Sequence, residues 1–399
     1  MNILPTIAES KDELEALFRD FHAHPEIGFT EVRTSRIVAE KLREFGADEV
    51  HTGLGKTGVV ALIHGKGQGN RRVGLRADMD ALPIHEATGL DYASTTPGVM
   101  HACGHDSHTT MLLGAAKHLA ATRDFDGTAV IVFQPAEEGL GGARQMLEDG
   151  LFDLFPCDEI FGMHNRPNGQ PGKVGICKGQ AMAGAAFFDI HIKGKGSHAA
   201  RPNESRDALI VAASLASETQ TILSRNIPAE EVLVMSITQL HAGAAYNVVP
   251  ETATLAGTIR YFKDEMYELA AKRLRRICDG YALSHDVEVT LDLRNVFDVL
   301  INDDELSDVY MQAAGDIVGP ENCDPHTPPV TGSEDFADML RVVPGAYCTV
   351  GHAGTMPLHN PEFTLDMSIQ RMNRKRKTRR SNRRRLSLEP MEKRLPLAS

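Results

Sequence analysis

The sequence predicts an α/β protein into which a smaller α+β unit is inserted. Within residues 1–180, apolar strand-like runs alternate with helical segments. Residues 184–295 instead follow the order strand, helix, strand, strand, helix, strand. The α/β pattern and further histidines return after residue 296. An alternating pattern favours a sheet covered by helices on both faces, whereas the inserted order favours an antiparallel sheet with its helices on one face.

The elements of the first unit follow from hydrophobic periodicity. Apolar residues recur at helical spacing in 12–24 and 30–46, and a third helix is expected to begin near Ser107. Strand-like runs are GVVALIHG, RVGLRADMD and TAVIVFQPAEE, which begin at residues 58, 72 and 128.

The inserted unit is expected to form a four-stranded antiparallel sheet with two helices. Its expected strands begin near residues 184, 231, 252 and 286, and its helices near 206 and 264. The predicted domains are therefore a discontinuous larger unit, residues 1–180 and 296–370, and an inserted unit, residues 181–295.

Composition argues for a cytoplasmic protein. The chain of 399 residues contains no apolar run of about 18 residues, and its N-terminus lacks the pattern of a secretory signal. Its six cysteines are scattered without CxxC spacing, so a disulfide framework is not expected. We therefore expect no membrane association.

Charge is distributed very unevenly along the chain. Residues 371–399 hold 12 Lys or Arg against 2 Asp or Glu, whereas residues 1–370 hold 30 against 52. An acidic body argues against nucleic acid as a partner of the main fold. The basic tail has three interpretations: an altered or frameshifted C-terminus, an arm for nucleic acid or a membrane surface, or a variant helix.

The stretch MHACGHDSH (100–108) is the first candidate for a metal site. Cys103 and His105 flank Gly104, which allows the backbone to bend so that both side chains reach one point. A thiolate and an imidazole suit zinc and similar first-row metals. Taken alone, the stretch is also compatible with a polar turn ahead of a helix.

Further donors follow apolar runs elsewhere. FQPAEEG (133–139) places Glu137 and Glu138 at a strand end, where open α/β sheets usually bind ligands. One carboxylate of such a pair can bind metal while the other acts as a general base. His164 and His359 lie in GMHNRP and PLHNPEF. Each feature alone is more typical of an ordinary turn or a structural histidine, but together they favour a metal centre.

A set of ordered motifs covering about residues 12–368 resembles the hippurate hydrolase and indoleacetyl-amino-acid hydrolase branch of the dinuclear-metal aminoacylase/carboxypeptidase family. The motifs are FHAHPEIGFTEVRTS (21–35), RADMDALP (76–83), MHACGHDSH (100–108), FQPAEEG (133–139), GMHNRP (162–167), GKGSHAARP (194–202), YNVVPETATLAGTIR (246–260), GSEDF (332–336) and LHNPEF (358–363). The resemblance implies a zinc-peptidase-like catalytic domain built on a mixed sheet, with the inserted unit as a lid and dimerisation domain.

The resemblance also implies two divalent metal ions per chain, about 3.5–4 Å apart as in other two-metal hydrolases. Zinc, manganese, cobalt and nickel are all compatible with such donors. Glu137 would act as general base and acid, and Asp78 would orient a ligand, although a simple turn carboxylate is equally compatible with its position. The implied metal ligands are Cys103, His105, Glu138, His164 and His359.

For the inserted unit, the resemblance implies three further site residues. His198 would reach the active site of a partner subunit and stabilise the oxyanion there. Asn247 and Arg260 would contact the carbonyl and the α-carboxylate of the substrate. A homodimer or a dimer-based tetramer is therefore expected.

The leading functional hypothesis is metal-dependent hydrolysis of the amide bond of an N-acyl or N-aroyl amino acid. The products would be a carboxylic acid and a free amino acid. Alternatives within the family are an N-acetyl-diaminopimelate deacetylase and a small dipeptidase. Outside it, the alternatives are a non-catalytic metal-binding or scaffold protein, or a nucleic-acid binder that uses the basic tail.

Overall fold

The computed structural model describes residues 3–352, 354 and 356–365. Its strands, in chain order, are β1 (Glu49–Leu54), β2 (Gly58–His64), β3 (Arg72–Asp78), β4 (Thr128–Gln134), β5 (Glu159–Arg166), β6 (Val174–Ile176), β7 (Gly179–Met182), β8 (Gly184–Lys193), β9 (Ser197–His198), β10 (Leu233–Ala242), β11 (Val248–Val249), β12 (Thr252–Tyr261), β13 (Glu288–Phe297), β14 (Leu300–Asn302), β15 (Cys323–Asp324) and β16 (Gly345–Gly351).

The helices of the described residues are α1 (Pro5–Glu9), α2 (Lys11–Ala23), α3 (Val32–Phe45), α4 (His105–Thr122), α5 (Gly142–Glu148), α6 (Leu151–Leu154), α7 (Ala208–Arg225), α8 (Asp264–His285), α9 (Asp304–Val318) and α10 (Phe336–Leu340). Short 3₁₀ turns span Pro202–Glu204 and Pro320–Asn322.

A mixed eight-stranded sheet forms the larger layer, in the order β1-β2-β4-β3-β5-β16-β6-β15. Strands β4, β3, β5 and β16 run parallel to one another. Antiparallel pairs join β1 to β2, β2 to β4 and β16 to β6. Because the central strands are parallel, β3, β4 and β5 all end at one edge of the sheet. In open α/β sheets, ligands bind at the carboxyl ends of the parallel strands, which is where this edge lies.

Helices cover both faces of the sheet, as its apolar strands predict. On one face, Val59, Ala61 and Ile63 of β2 join a core with residues of α2, α3 and α4. On the other, Val60 and Leu62 pack in a core with residues of α5, α6 and α10. Successive residues of one strand thus enter opposite cores, since side chains alternate along a strand.

The lid is a separate antiparallel sheet of four strands in the order β10-β12-β8-β13, drawn from residues 184–297. Its core combines Phe188 and Ile190 of β8 with Leu215 of α7 and Leu274 of α8. Two small ribbons, β9–β11 and β7–β14, accompany the two main sheets.

The predicted fold class is confirmed: a mixed sheet with helices on both faces, together with an antiparallel sheet carrying two helices. Helix α4 begins at His105 rather than near Ser107. No helix in the described chain has the length and apolar content needed to cross a bilayer. The basic tail, residues 371–399, lies outside the described residues.

Candidate metal centre

The five predicted donors meet at the edge where β3, β4 and β5 end. Three overlapping groups have ligand atoms within 4.8 Å of one another. They are Cys103, His105 and His164; Cys103, Glu138 and His359; and His105, Glu137 and Glu138. Shared membership makes one continuous cluster of thiol, imidazole and carboxylate groups, which are the donors that zinc and neighbouring metals take.

Two buried donor atoms of the cluster have no hydrogen bond among the described residues. Cys103 Sγ lies 3.3 Å from His164 Nε2, and Glu138 Oε1 lies 3.3 Å from His359 Nε2. His105 Nε2 is 4.0 Å from Glu138 Oε1. Among the described residues, His105 Nε2 and Glu138 Oε1 are buried without a hydrogen-bond partner. Leaving buried polar atoms unpaired is costly, so these two atoms fit a site that binds a cation.

Backbone geometry explains how Cys103 and His105 converge. Gly104 has φ of +97°, a left-handed conformation that glycine adopts without strain. A Cβ at this position would collide with the side-chain amide of Asn165. Glycine is therefore required both for the bend and for the close approach of β5.

A hydrogen bond at Nδ1 orients the ring of His164. His164 Nδ1 donates to the carbonyl of Asn165 at 2.6 Å, so Nε2 carries the lone pair that faces Cys103. Burial, followed by the charge of His108, lowers the pKa of His164 to about 3. A neutral ring is the form that binds metal.

Asp80, which the sequence analysis missed, is the carboxylate nearest to His105. Its Oδ1 lies 3.2 Å from His105 Nδ1, and its Oδ2 accepts from the backbone N–H of Glu138 at 2.9 Å. The predicted Asp78 instead pairs with His108 at 2.6 Å and with Arg76 at 2.8 Å, and lies 3.9 Å from His105 Nδ1. The motif RADMD contains both aspartates, and sequence alone does not say which one reaches the ligand.

Glu137 lies beside the donors and is 6% exposed. Its Oε2 is 3.9 Å from His105 Nε2, and its carboxylate neighbours those of Glu334 and Asp335. Burial, then the charges of Glu334 and Glu138, raise the pKa of Glu137 well above its usual range. An acidic group whose pKa is raised by burial and like charge is suited to proton transfer near neutral pH.

A buried arginine compensates part of this negative charge. The Arg76 guanidinium bonds to Asp78 and Glu334, each at 2.8 Å, and to Asp335 at 3.2 Å. These four groups are at most 3% exposed. The ion-pair network holds the GSEDF segment against β3, behind Glu137.

A cavity of about 770 Å³ opens above the cluster, between the sheet edge and the lid. Its floor includes Cys103, Glu137, Glu138, His164 and His359. Arg260 of β12 reaches it from the lid side and donates to Ser333 Oγ at 2.9 Å. Much of the remaining wall is apolar and includes Ala181, Met182, Phe187, Phe297, Val330 and Leu358.

His198 and Asn247 are placed elsewhere in this chain. Both are exposed on the β9–β11 ribbon, where His198 pairs with Val248 and the carbonyl of Asn247 accepts from Ala199. Neither is among the described residues that line the cavity. A single chain therefore does not bring these two predicted residues to the donor cluster.

Comparison with known proteins identifies the family of the chain. The model of peptidase family M20/M25/M40 matches residues 74–373. The chain belongs to this family. The family is described as a peptidase family, and one relative described below is a hippurate hydrolase. Together they confirm the prediction of a hydrolase that acts on amide bonds.

Three curated relatives illustrate the range of the family. A hippurate hydrolase of Campylobacter jejuni is 40% identical over 92% of this chain and 95% of its own length. An N-acetyldiaminopimelate deacetylase of Streptococcus sanguinis is 38% identical, with coverages of 87% and 92%. An IAA-amino acid hydrolase of Arabidopsis thaliana is 35% identical, with coverages of 90% and 82%.

Two solved structures share the fold and more than 30% identity. A putative aminohydrolase from methicillin-resistant Staphylococcus aureus has a TM-score of 0.82 and 32% identity, covering 90% of this chain and 93% of that one. A Bacillus subtilis protein described as a dinuclear metal binding peptidase of the M20 family has a TM-score of 0.77 and 34% identity, with coverages of 90% and 94%.

Proposed function

We propose that this protein is a metal-dependent amidohydrolase that cleaves N-acyl or N-aroyl amino acids to a carboxylic acid and a free amino acid. One observation carries the proposal: buried side-chain atoms of His105 and Glu138 lack hydrogen-bond partners among the described residues and lie beside Glu137, which lines the floor of a large cavity. This arrangement provides both a cation site and a proton-transfer group next to it.

Cys103, His105, Glu138, His164 and His359 would hold two divalent ions, with zinc, manganese, cobalt and nickel as candidates. Bound ions would polarise the scissile carbonyl and lower the pKa of the attacking water. Asp80 would keep His105 and Glu138 in place, because it contacts both residues.

Glu137 would move the proton. In hydrolysis a C–O bond forms from water and the C–N bond of the amide breaks, so a proton must pass from the water to the leaving nitrogen. Glu137 is not needed as a ligand if Glu138 binds the ion, and its raised pKa lets it hold that proton between the two steps.

Charge and polarity of the cavity suggest how the substrate lies. Arg260 is the lid cation that faces the cavity, and its guanidinium can bind the α-carboxylate. The apolar wall around Met182, Phe187 and Phe297 suits an aromatic or long acyl group better than acetyl. This favours hippurate-like substrates over the N-acetyl-diaminopimelate alternative.

We further propose that His198 and Asn247 complete the active site of a second copy in a homodimer, or in a tetramer built from such dimers. Support comes from their exposure on one ribbon of the lid, away from the cavity of their own chain. His198 would stabilise the oxyanion and Asn247 would contact the substrate carbonyl.

We place the protein in the cytoplasm. All six cysteines are free thiols, as expected in a reducing compartment. The stability of the purified protein should therefore not require the oxidation of its cysteines to disulfides.

The direct test is hydrolysis of hippurate, N-acetyl amino acids and dipeptides by metal-stripped and by Mn- or Zn-reconstituted protein. We expect turnover only after reconstitution, with kcat/KM highest for the aroyl substrates. Glu137→Gln should lower kcat by at least about 100-fold, the usual size of a general-base contribution. Metal content should remain unchanged in this variant.

The outcomes separate the alternatives. A higher kcat/KM for N-acetyl-diaminopimelate or for dipeptides would replace the aroyl assignment with one of those activities. Metal binding without any turnover that depends on Glu137 would favour a non-catalytic metal-binding protein. Failure to bind metal would overturn the site itself.

A further inference from the structure

The segment FHAHPEIGFTEVRTS has no role in the chemistry described so far, yet it contains a fully buried carboxylate. Glu31 is 0% exposed. It directly precedes α3 and is not one of the cavity-lining residues of the described chain. A buried charge is costly unless hydrogen bonds satisfy it, so its partners indicate what it does.

Both oxygens of Glu31 have a hydrogen-bond donor. Oε1 accepts from the backbone N–H of Ala136 at 2.9 Å. Oε2 accepts from the hydroxyl of Thr57 at 2.6 Å. Ala136 immediately precedes Glu137 and Glu138. The carboxylate of Glu31 is therefore hydrogen-bonded to the turn that carries the proposed general base and a proposed metal donor.

Ala136 has an unusual backbone conformation. Its φ is +57°, in the left-handed region that residues with a Cβ rarely adopt. Such a conformation persists only when the surroundings hold it. The carbonyl of Ala136 accepts from Gly142 at 3.0 Å, and its N–H is held by Glu31.

The backbone at Gly28, three residues before Glu31, packs against the turn at 135–138. A Cβ built on Gly28 would stand 2.8 Å from Ala136 Cα, closer than packed atoms allow. Glycine at residue 28 therefore permits the contact. Residues 28–31 and the turn at 135–138 form one tightly packed unit.

Glu26 takes over the capping of α3, so that the side chain of Glu31 is available to bond to Ala136. Glu31 occupies the N-cap position of α3, but its side chain makes no capping bond there. Glu26 accepts instead from the N–H groups of Arg33 at 3.0 Å and Thr34 at 2.8 Å. The helix start is satisfied by Glu26, and Glu31 is directed to the turn at 135–138.

We propose that Glu31 is a positioning residue: by holding Ala136 in the left-handed conformation, it aims Glu137 at the reacting amide and Glu138 at the metal. The inference rests on the proposed function for its catalytic part. Its structural part, the state of the turn at 135–138, can be measured without substrate.

The test compares Glu31→Ala, Glu31→Gln and the wild type with metal bound. Glu31→Ala should lower kcat on the preferred substrate by about 100-fold, the cost of a misplacement of about 1 Å, with KM changed less than about threefold. Glu31→Gln should recover most of the loss, since its amide oxygen can accept from Ala136 while its NH₂ group donates to Thr57. Amide hydrogen exchange at Ala136 should become faster in Glu31→Ala.

Glu26→Ala is the matched control, because it removes side-chain bonds at the start of the same helix without touching residues 135–138. It should lower the melting temperature but leave kcat and exchange at Ala136 close to wild type. Equal losses of kcat in Glu26→Ala and Glu31→Ala would reduce Glu31 to a general stabilising residue and overturn the proposal. Unchanged kcat and unchanged exchange in Glu31→Ala would overturn it too.

The two proposals can fail separately. If the wild type hydrolyses none of the substrates, the proposed function fails, while exchange at Ala136 in the variants still decides whether Glu31 holds the turn at 135–138. If the wild type is active and Glu31→Ala matches it in kcat and in exchange, only the positioning role fails.

Discussion

Asp80 joins two donors of the centre through a single carboxylate. One oxygen lies 3.2 Å from His105 Nδ1 and the other accepts from the N–H of Glu138 at 2.9 Å. A carboxylate behind a metal-binding histidine fixes the ring and makes it a better donor. Here the same carboxylate also holds the backbone of Glu138, so its loss is expected to affect both proposed ligands together.

We expect Asp80→Asn to weaken metal binding by about 10- to 100-fold, the usual effect of losing such a partner. The asparagine NH₂ group cannot accept from the N–H of Glu138, so one of the two contacts must break. Competition of the metal-free protein with a chelating dye measures the change. Asp91→Asn is the control, because Asp91 is exposed and pairs only with Arg19 among the described residues. Equal affinities of Asp80→Asn and wild type would refute the role of Asp80.

Some residues of the site stand in recognisable local motifs, whereas others act through contacts between distant parts of the chain. Cys103, His105 and Glu138 could be proposed as metal donors from the sequence, because each stands in a short motif whose residue types suit metal binding. Glu31 was not, because its role depends on a hydrogen bond to Ala136, 105 positions away in the chain. The choice between Asp78 and Asp80 likewise depends on three-dimensional packing.

At the scale of elements, the sequence analysis assigned no helix to α9 and no strand to β5 or β16, although these elements are long. Hydrophobic periodicity located α2, α3, α4, β2, β3, β4 and the main elements of the lid, because their apolar faces follow local sequence rules. It did not reveal β6, β7, β14 or β15, which have two to four residues each. Such short strands are defined by pairing with distant neighbours rather than by a pattern of their own. Helix α4 begins at His105, within two residues of the expected start near Ser107.

The β9–β11 ribbon is the element whose role depends most on assembly. It presents His198 and Asn247 at the surface of the lid. If they act in the site of a partner subunit, a chain lacking His198 and a chain lacking Glu137 should complement each other.

Mixing inactive His198→Ala with inactive Glu137→Gln, after dissociation and reassociation, should restore about a quarter of wild-type activity. Random pairing makes half of the dimers mixed, and each mixed dimer has one site with both residues intact. Activity is measured on the preferred substrate before and after mixing. Absence of any recovery, with mixed dimers confirmed by mass, would show that His198 does not act across subunits.

For the whole molecule, two sheets meet around one cavity. The larger sheet brings the donors together because β3, β4 and β5 end at one edge, and the lid supplies Arg260 and part of the apolar wall. The division into a catalytic unit and an inserted unit was predictable from the change of pattern near residues 184 and 296. The boundaries 180 and 296 stay predictions, as does the assembly of the chains.

A metal titration of the stripped protein, with hippurate hydrolysis recorded against metal bound per chain, decides whether the site is a dinuclear hydrolytic centre. A dinuclear centre predicts that activity rises with added ions and levels off at about two equivalents. Cys103→Ala, which removes a donor shared by two of the three groups, should bind less metal and lose activity. Hydrolysis that persists in the stripped protein, or that does not follow metal occupancy, would contradict the account.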